Sequence, residues 1–343
     1  MSILITLLII AVLVLAHEWG HFITARKIGI PVHEFSLGFG YKLFSVTRDG
    51  VEYSIRIFPL GGFVRMAGEE MGDNEDPRGY SSRNPWEKIL VSFSGPFMNF
   101  VLAFLIFILV YAAIGIPSAI EDPIIGKVIA GNPAAQAGMQ EGDRVLSVNE
   151  VDVSTWKEFT DRIAANPEGK AMQVTVERDG QIVGLEMVPV KIEGNENPAI
   201  GVINAVEYER QDIFTSIKMG LSQTYTMTVM LLQALWMLIT GGASVNDLAG
   251  PVGITKLVGD VAQIGSVFVL NFAAFLSINL GLINLLPIPA LDGSKIAFSL
   301  LEAVRRKPID PEKEGFIHWV GFMFLMLLII LVTYNDIVRL IKG

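Results

Sequence analysis

The most constraining feature of the sequence is a set of long apolar stretches, each able to cross a lipid bilayer as a helix. A membrane-spanning helix needs roughly 20 consecutive, mostly apolar residues. Four stretches meet this requirement: Ser2–Thr24, Ile89–Gly115, Val267–Pro289 and Phe316–Tyr334. Only 18% of the residues are charged, against about 25% in soluble proteins. The sequence therefore predicts a polytopic α-helical membrane protein with about four transmembrane helices.

A fifth apolar stretch, near residues 227–239, is shorter and follows polar residues. We interpret it as part of an interfacial region on the membrane surface, and a fifth span is the alternative. The first stretch is not typical of a signal peptide, because its first basic residue, Arg26, comes after the apolar run. The absence of cysteine excludes disulfides and thiolate metal sites. The net charge of −9 argues against nucleic-acid partners.

Basic residues concentrate in the first and last connections between the spans, at 26–88 and 295–313. The positive-inside rule places both connections in the cytoplasm. The long central section is then extracytoplasmic. The predicted organisation is a first span (1–25), a cytoplasmic connection (26–88), a second span (89–116), a soluble domain (118–207), an interfacial region (213–265), a third span (266–293), a cytoplasmic loop (294–315) and a fourth span (316–336).

The soluble domain has the pattern of a small α+β fold. Strands are predicted at 124–129 and 144–148, a helix at 155–165, and a hairpin across Asp179-Gly180. With the segment N-P-A-A-Q-A-G-M-Q-E-G-D-R-V-L-S-V-N, this order resembles a bacterial PDZ domain. The resemblance implies that a peptide binds as an added strand at a sheet edge. A folded spacer that binds nothing is the alternative.

The cytoplasmic connection contains a second candidate peptide-binding element. Strands predicted at 51–58 and 63–66, around Pro59-Leu60-Gly61-Gly62, indicate a β-hairpin against the membrane helices. An exposed strand edge there is suited to holding an extended peptide. An ordinary cytoplasmic hairpin is the alternative.

A metal-binding motif, His17-Glu18-Trp19-Gly20-His21, lies near the end of the first span. The spacing of four residues puts both imidazoles on one helix face, about one turn apart, where they can share an ion. Glu18 can reach water at the ion without ligating it, as in the metalloprotease pattern of two zinc ligands and a general base. Ionisable residues in a membrane span usually face a partner or a wet cavity.

A catalytic zinc site normally has a third protein ligand. The candidates are Asp292, His33, Glu34 and His318. Asp292 is favoured because it ends an apolar run in which Pro287 and Pro289 break the helix, and irregular backbone at membrane depth lines protein or wet cavities. A helix cap is the alternative role for Asp292. His318, beside Trp319, has the pattern of a membrane-interface pair.

Taken together, the motifs are similar to those of bacterial regulator of sigma E proteases, in the site-2 protease family. They are H-E-W-G-H, P-L-G-G-F-V-R-M-A-G-E, S-G-P-F-M-N, the PDZ segment, A-G-P-V-G-I and N-L-G-L-I-N-L-L-P-I-P-A-L-D-G. Family members often carry two tandem PDZ domains, whereas this chain has room for one.

The resemblance implies a role for each matching residue. Zinc is held by His17, His21 and Asp292, and Glu18 is the general base. Substrate is contacted by Asn284 and by the strands around Gly61 and Gly62. Packing and a polar contact near the site are supplied by Gly95, Pro96 and Asn99.

The function implied by this resemblance is intramembrane proteolysis in the cell membrane, with the active site toward the cytoplasm. The substrates implied are single-span proteins, such as anti-sigma factors or remnant signal peptides, filtered by the extracytoplasmic PDZ domain. One alternative is a non-catalytic PDZ scaffold with a structural metal, in which Glu18 would have no purpose. Another is a metal transporter, which calls for ionisable residues through several spans.

Overall fold

The computed structural model describes residues 2–69, 76–166, 169–191, 197–242 and 249–342. Residues 243–248, inside the predicted interfacial region, lie outside this description, as do parts of the predicted soluble domain at 167–168 and 192–196. The chain forms two compact units, one from 1–112 with 212–343 and one from 113–211. Within the described residues, four helices are long and apolar enough to cross a membrane.

The helices follow the predicted apolar stretches closely, with extra helices between them. In chain order they are α1 (Ser2–Ile28), α2 (Pro85–Leu109, extended by a π-helical turn at Val110–Ile114), α3 (Pro133–Gln136), α4 (Trp156–Ala165), α5 (Ile213–Ile239), α6 (Pro251–Ile264), α7 (Ser266–Asn284), α8 (Asp292–Arg305) and α9 (Pro311–Lys342). The candidate spans are α1, α2 with its π turn, α7 and most of α9.

Two glycines bring α1, α2 and α7 into close contact. A Cβ atom on Gly20 of α1 would lie 2.2 Å from the Ser94 carbonyl oxygen of α2. On α7, a Cβ on Gly281 would lie 2.9 Å from the Pro96 carbonyl oxygen. Small residues allow this kind of backbone approach between apolar helices. The central helix α2 is therefore held between α1 and α7.

The connection after α1 forms a sheet of two long strands, β1 (Val32–Arg48) and β2 (Val51–Met66). Each strand is bent, so that 34–37 pairs with both 52–55 and 62–65, while 44–48 pairs with 51–55. The resulting order is 44–48, 51–55, 34–37 and 62–66. Within the described residues, segment 62–66 has no strand partner on its outer side.

The strands predicted at 51–58 and 63–66 do not pair with each other, because 34–37 lies between them. The chain turns at Asp49-Gly50, where both residues have positive φ (49° and 79°), as a two-residue type I′ turn requires. The chain also reverses direction between residues 55 and 62, since 52–55 runs parallel and 62–65 antiparallel to 34–37. The strand β1 before the Asp49-Gly50 turn was not predicted. The Asp-Gly pair is the same signal that predicted the turn at Asp179-Gly180.

An aromatic cluster holds the sheet against the metal-binding motif of α1. The Phe22 ring lies 5.3 Å from the Phe35 ring and 6.0 Å from the Tyr53 ring, both in the sheet. Trp19, inside the motif, packs on Phe22 and Phe35. These contacts place segment 62–66 beside the motif, and Gly62 is so close that a Cβ there would lie 3.3 Å from Glu18 Cγ.

The boundary predicted for the third span also differs from the structure. Helix α7 ends at Asn284, and Asp292 is the first residue of α8 rather than the end of a span. The predicted cytoplasmic loop, 294–315, is largely helical because it contains most of α8 and the start of α9. Pro287 and Pro289 explain the break, since proline cannot continue the hydrogen-bonding pattern of α7.

The smaller unit, 113–211, has the element order expected from the resemblance to a PDZ domain. A four-stranded sheet has the order β6 (Val151–Asp152), β5 (Arg144–Val148), β7 (Met172–Arg178) and β8 (Gln181–Met187), with α4 packed on it. Shorter pairs are β4 (Ile125–Val128) with β11 (Val202–Asn204), β3 (Ile116–Ala119) with β12 (Val206–Glu209), and β9 (Val190–Lys191) with β10 (Pro198–Ala199). Phe159, Met172 and Val174 lie in its core.

We expect Gly20→Ala to destabilise the larger unit, because the added methyl meets backbone atoms that no side-chain rotation can move. Overpacking typically costs about 1–3 kcal/mol, which corresponds to a thermal midpoint lowered by about 3 °C or more. The measurement is thermal unfolding of the purified protein in detergent. Gly242→Ala is the matched control, since its methyl would lie 3.6 Å from the nearest atom. Equal midpoints for the two variants would contradict the α1–α2 contact described here.

Candidate metal centre

Three side chains converge between α1 and the start of α8. His17 Nε2 lies 3.2 Å from His21 Nε2, and Asp292 Oδ2 lies 3.0 Å from the first and 3.4 Å from the second. Both histidines are buried. Two imidazole nitrogens and a carboxylate oxygen this close together form a group that could hold a metal ion.

The outer nitrogen of each imidazole has a partner on α2. His21 Nδ1 lies 2.8 Å from the Val91 carbonyl oxygen, to which it donates. His17 Nδ1 lies 3.3 Å from the Asn99 amide group, at Nδ2. Hydrogen bonds of this kind fix the ring orientation and direct Nε2 toward a metal.

The Asn99 amide supports the fit of a metal at this position. Its Oδ1 is buried without a hydrogen-bond partner, while its Nδ2 faces a ring nitrogen. The oxygen and nitrogen of an amide are assigned from the hydrogen-bond network, and they exchange on a flip. With the amide flipped, Oδ1 accepts the Nδ1 proton of His17, leaving Nε2 free as a ligand. The donor set then has two nitrogens, one oxygen and a fourth position open, as in catalytic zinc sites.

Glu18 lies beside this group without belonging to it. It lines a cavity of about 260 Å³ together with both histidines, Asp292 and Asn284, the last residue of α7. On the sheet side, the cavity is lined by Phe63, Val64 and Met66 of the outer segment of β2. The cavity is therefore lined by the Glu18 carboxylate, the candidate metal site and the edge strand 62–66.

The glycines near this group act through packing. A Cβ on Gly95 would lie 2.2 Å from His21 Nε2, so glycine lets the imidazole lie directly against α2. Gly61 lies under the Phe39 ring, and Gly62 lies against Glu18. The backbone of Pro96 contacts Gly281 rather than the cavity.

The other residues considered as third ligands lie elsewhere. Glu34 is buried in the sheet, where it accepts hydrogen bonds from Ser54 Oγ at 2.6 Å and Arg56 Nη2 at 2.8 Å. Burial alone would raise the pKa of Glu34, but these hydrogen bonds hold it below its usual value. His33 is exposed on β1. His318 contacts Ala290, two residues before Asp292.

The sequence did not indicate a polar cluster on the wall of the cavity. Lys295 Nζ lies 2.6 Å from Glu69 Oε1, and the Tyr80 hydroxyl lies 3.1 Å from Ser92 Oγ. Burial alone would lower the pKa of Lys295, but Glu69 raises it above the usual value, so the lysine is charged. Burial raises the pKa of Tyr80. The spacing of Lys295 from Asp292, three residues on one helix face, was the available signal.

Comparison with known proteins gives a consistent family assignment. Residues 5–328 match the model of Peptidase family M50. The zinc metalloprotease RasP of Oceanobacillus iheyensis is 36% identical, with 97% of this chain and 98% of that protein covered. The regulator of sigma-W protease RasP of Bacillus subtilis is 32% identical, with 97% of each chain covered.

The lengths of the relatives differ. The alignment with the Oceanobacillus protein runs over 418 positions, so that protein carries a stretch that this chain of 343 residues lacks. A Clostridium acetobutylicum protein is 36% identical over 337 positions. A solved PDZ domain of an SdrC-like protein from Listeria monocytogenes matches 26% of this chain, at 17% identity and a TM-score of 0.23. The family model matches residues 5–328, and the RasP relatives align over 97% of the chain. The chain therefore belongs to peptidase family M50.

Proposed function

We propose that this protein is an intramembrane zinc endopeptidase that cleaves single-span membrane proteins within or near their transmembrane segments. The observation that carries the proposal is the position of His17, His21 and Asp292, which converge beside Glu18 in a cavity between apolar helices. Similarity to zinc metalloproteases over 97% of the chain supports it. The family match supports peptide-bond hydrolysis rather than a scaffold or a transporter.

The proposed mechanism assigns one chemical role to each group. Bound zinc would supply Lewis acidity that polarises the scissile carbonyl and acidifies water. Glu18 takes a proton from the attacking water and delivers it to the departing amine nitrogen. His17 and His21 are held as neutral Nε2 ligands by their Nδ1 partners on α2.

The outer segment of β2 is the proposed site for an extended substrate. A transmembrane helix has its own carbonyls hydrogen-bonded, so it must unwind before hydrolysis. The free edge at 62–66 would replace these bonds with strand pairing, and Phe63, Val64 and Met66 face the same cavity as Glu18. The Asn284 side chain, also in the cavity, offers a donor and an acceptor to the substrate backbone.

The end of the β1–β2 sheet opposite the Asp49-Gly50 turn supports membrane association. Six of its large apolar side chains are about half exposed or more: Phe39, Tyr41, Leu43, Phe44, Ile57 and Phe58. A group of large, exposed apolar side chains is typical of a surface that binds a partner or a membrane. We propose that this end of the sheet dips into the bilayer and that the sheet meets substrate there. The physiological substrates proposed are anti-sigma factors or signal-peptide remnants, as the resemblance to the site-2 protease family implies. The Bacillus subtilis relative is named a regulator of sigma-W protease.

The first test is Glu18→Gln, which removes the base but leaves the metal-binding group intact. Cleavage of a model single-span substrate in detergent is expected to fall by roughly 100-fold to 10,000-fold, with the zinc content unchanged. His17→Ala is expected to lose both cleavage and zinc. Equal cleavage by Glu18→Gln and wild type would exclude the mechanism, and full zinc content in His17→Ala would exclude the ligand assignment.

A second test concerns Asn284. Replacing it with Leu removes the proposed hydrogen bonds to substrate, and each one typically contributes about 1–3 kcal/mol when its loss leaves a buried partner unpaired. We expect kcat/KM to fall by roughly 10-fold to 100-fold with zinc content unchanged. Asn284→Gln, which keeps the amide, should recover part of the loss. A Leu variant as active as wild type would remove Asn284 from the substrate site.

The proposed filter role of the unit at 113–211 can be tested by deleting residues 120–206. The residues to be joined, Ala119 and Glu207, are already neighbours in the β3–β12 ribbon, where Ser118 pairs with Glu207. The shortened protein is expected to cleave a substrate trimmed on its extracytoplasmic side at the wild-type rate. It should also cleave the untrimmed substrate at a similar rate. The complete protein, by contrast, should cut the untrimmed substrate at least about 10-fold more slowly than the trimmed one, a difference of about 1.4 kcal/mol in activation free energy. Unchanged discrimination would rule the filter out.

A further inference from the structure

The loop between α7 and α8 leads directly into the proposed ligand Asp292. Its backbone is irregular, with hydrogen bonds from Ile288 N to Leu286 O at 2.7 Å and from Leu291 N to Ile288 O at 3.1 Å. Ala290 lies in the left-handed region with φ of 76°. A residue with a Cβ is disfavoured in that region, so other contacts must hold Ala290 there.

His318, on α9, supplies such a contact. Its Nδ1 accepts a hydrogen bond from the Ala290 backbone N–H at 3.0 Å. Because Nδ1 is the acceptor, the proton of the neutral imidazole is on Nε2. This bond gives the Ala290 N–H, which lies outside any helix or strand, a hydrogen-bond partner, and it therefore stabilises the irregular loop.

Helix α9 packs closely against the loop, and this packing fixes the position of His318. A Cβ on Gly321, one turn after His318, would lie 2.3 Å from Pro289 Cβ and 2.5 Å from its carbonyl oxygen. The His318 ring also packs edge-on against Phe298 of α8, with ring centroids 5.6 Å apart. His318 therefore contacts both the loop before Asp292 and the helix that Asp292 begins.

We propose that His318 is a positioning residue for Asp292, acting through Ala290 to fix the carboxylate against the two histidines of α1. The proposal rests on the zinc site proposed above. Asp292 Oδ2 lies 3.0 Å and 3.4 Å from the two Nε2 atoms, and Ala290 lines the same cavity. A change in the backbone two residues before Asp292 moves the carboxylate relative to α1. His318 thus contributes to zinc affinity without being a ligand.

The test compares His318→Phe with His318→Asn. Phenylalanine keeps a ring against Phe298 but removes the acceptor, whereas the Asn Oδ1 can take the place of Nδ1. Zinc affinity is measured on purified protein in detergent by competition with a chelator, and cleavage kinetics are measured in parallel. His318→Phe is expected to bind zinc roughly 10-fold to 100-fold more weakly, as for other residues that orient ligands, and His318→Asn to remain within about 3-fold of wild type.

A double variant tests the route through Ala290. Glycine adopts positive φ at no steric cost, so Ala290→Gly should recover part of the zinc affinity lost in His318→Phe. Val320→Ala, at a half-exposed neighbour on α9, is the matched control and should bind zinc like wild type. Thermal midpoints show whether each variant is folded. If His318→Phe does not fold, the zinc affinity of His318→Asn is compared with that of wild type.

The outcomes separate this proposal from the one on which it rests. If His318→Phe binds zinc like wild type while His17→Ala does not, the positioning role is wrong and the zinc site stands. Equal losses in folded His318→Phe and His318→Asn would also overturn it, because the acceptor would then not matter. If His17→Ala retains zinc, the proposed site itself fails.

Discussion

The candidate site depends on the close approach of α1 to α2. His21 lies against the backbone of α2 at Gly95, where a single methyl group would occupy the place of its ring. The same approach lets His21 donate to the Val91 carbonyl oxygen and brings His17 to Asn99. Two adjacent turns of α1 thus face the cavity with their imidazoles oriented by the neighbouring helix. In an apolar environment these few polar contacts are stronger than they would be in water.

Much of this site could be predicted from the sequence because its parts have strong local patterns. Two histidines four residues apart within an apolar run fix their own relative position on a helix. Asp292 could be selected because two prolines precede it, and the structure brings it to His17 and His21. The position of segment 62–66 could not be predicted, since it depends on the packing of Phe22, Phe35 and Tyr53 across distant elements.

The errors have equally specific causes. The turn at Asp49-Gly50 was missed because the strand before it, β1, alternates weakly and carries two glycines, Gly38 and Gly40, near its middle. Glu69 was missed because an ion pair between distant segments leaves no pattern along the chain, and Lys295 was missed because its spacing from Asp292 was not considered. His318 was considered only as a ligand or an interface residue. Its contact with a backbone N–H depends on the seating of Gly321 on Pro289, which composition does not reveal.

The cavity has a consequence for the supply of the second reactant. Hydrolysis consumes water, which the hydrocarbon interior of a bilayer excludes. A polar space of about 260 Å³ has room for several water molecules, and the charged Lys295–Glu69 pair and the Tyr80 and Ser92 hydroxyls provide hydrogen-bonding partners for them. The walls that hold the proposed metal ligands therefore also enclose room for water between apolar helices. For such a protein, keeping this space wet is as much a part of the chemistry as holding the peptide.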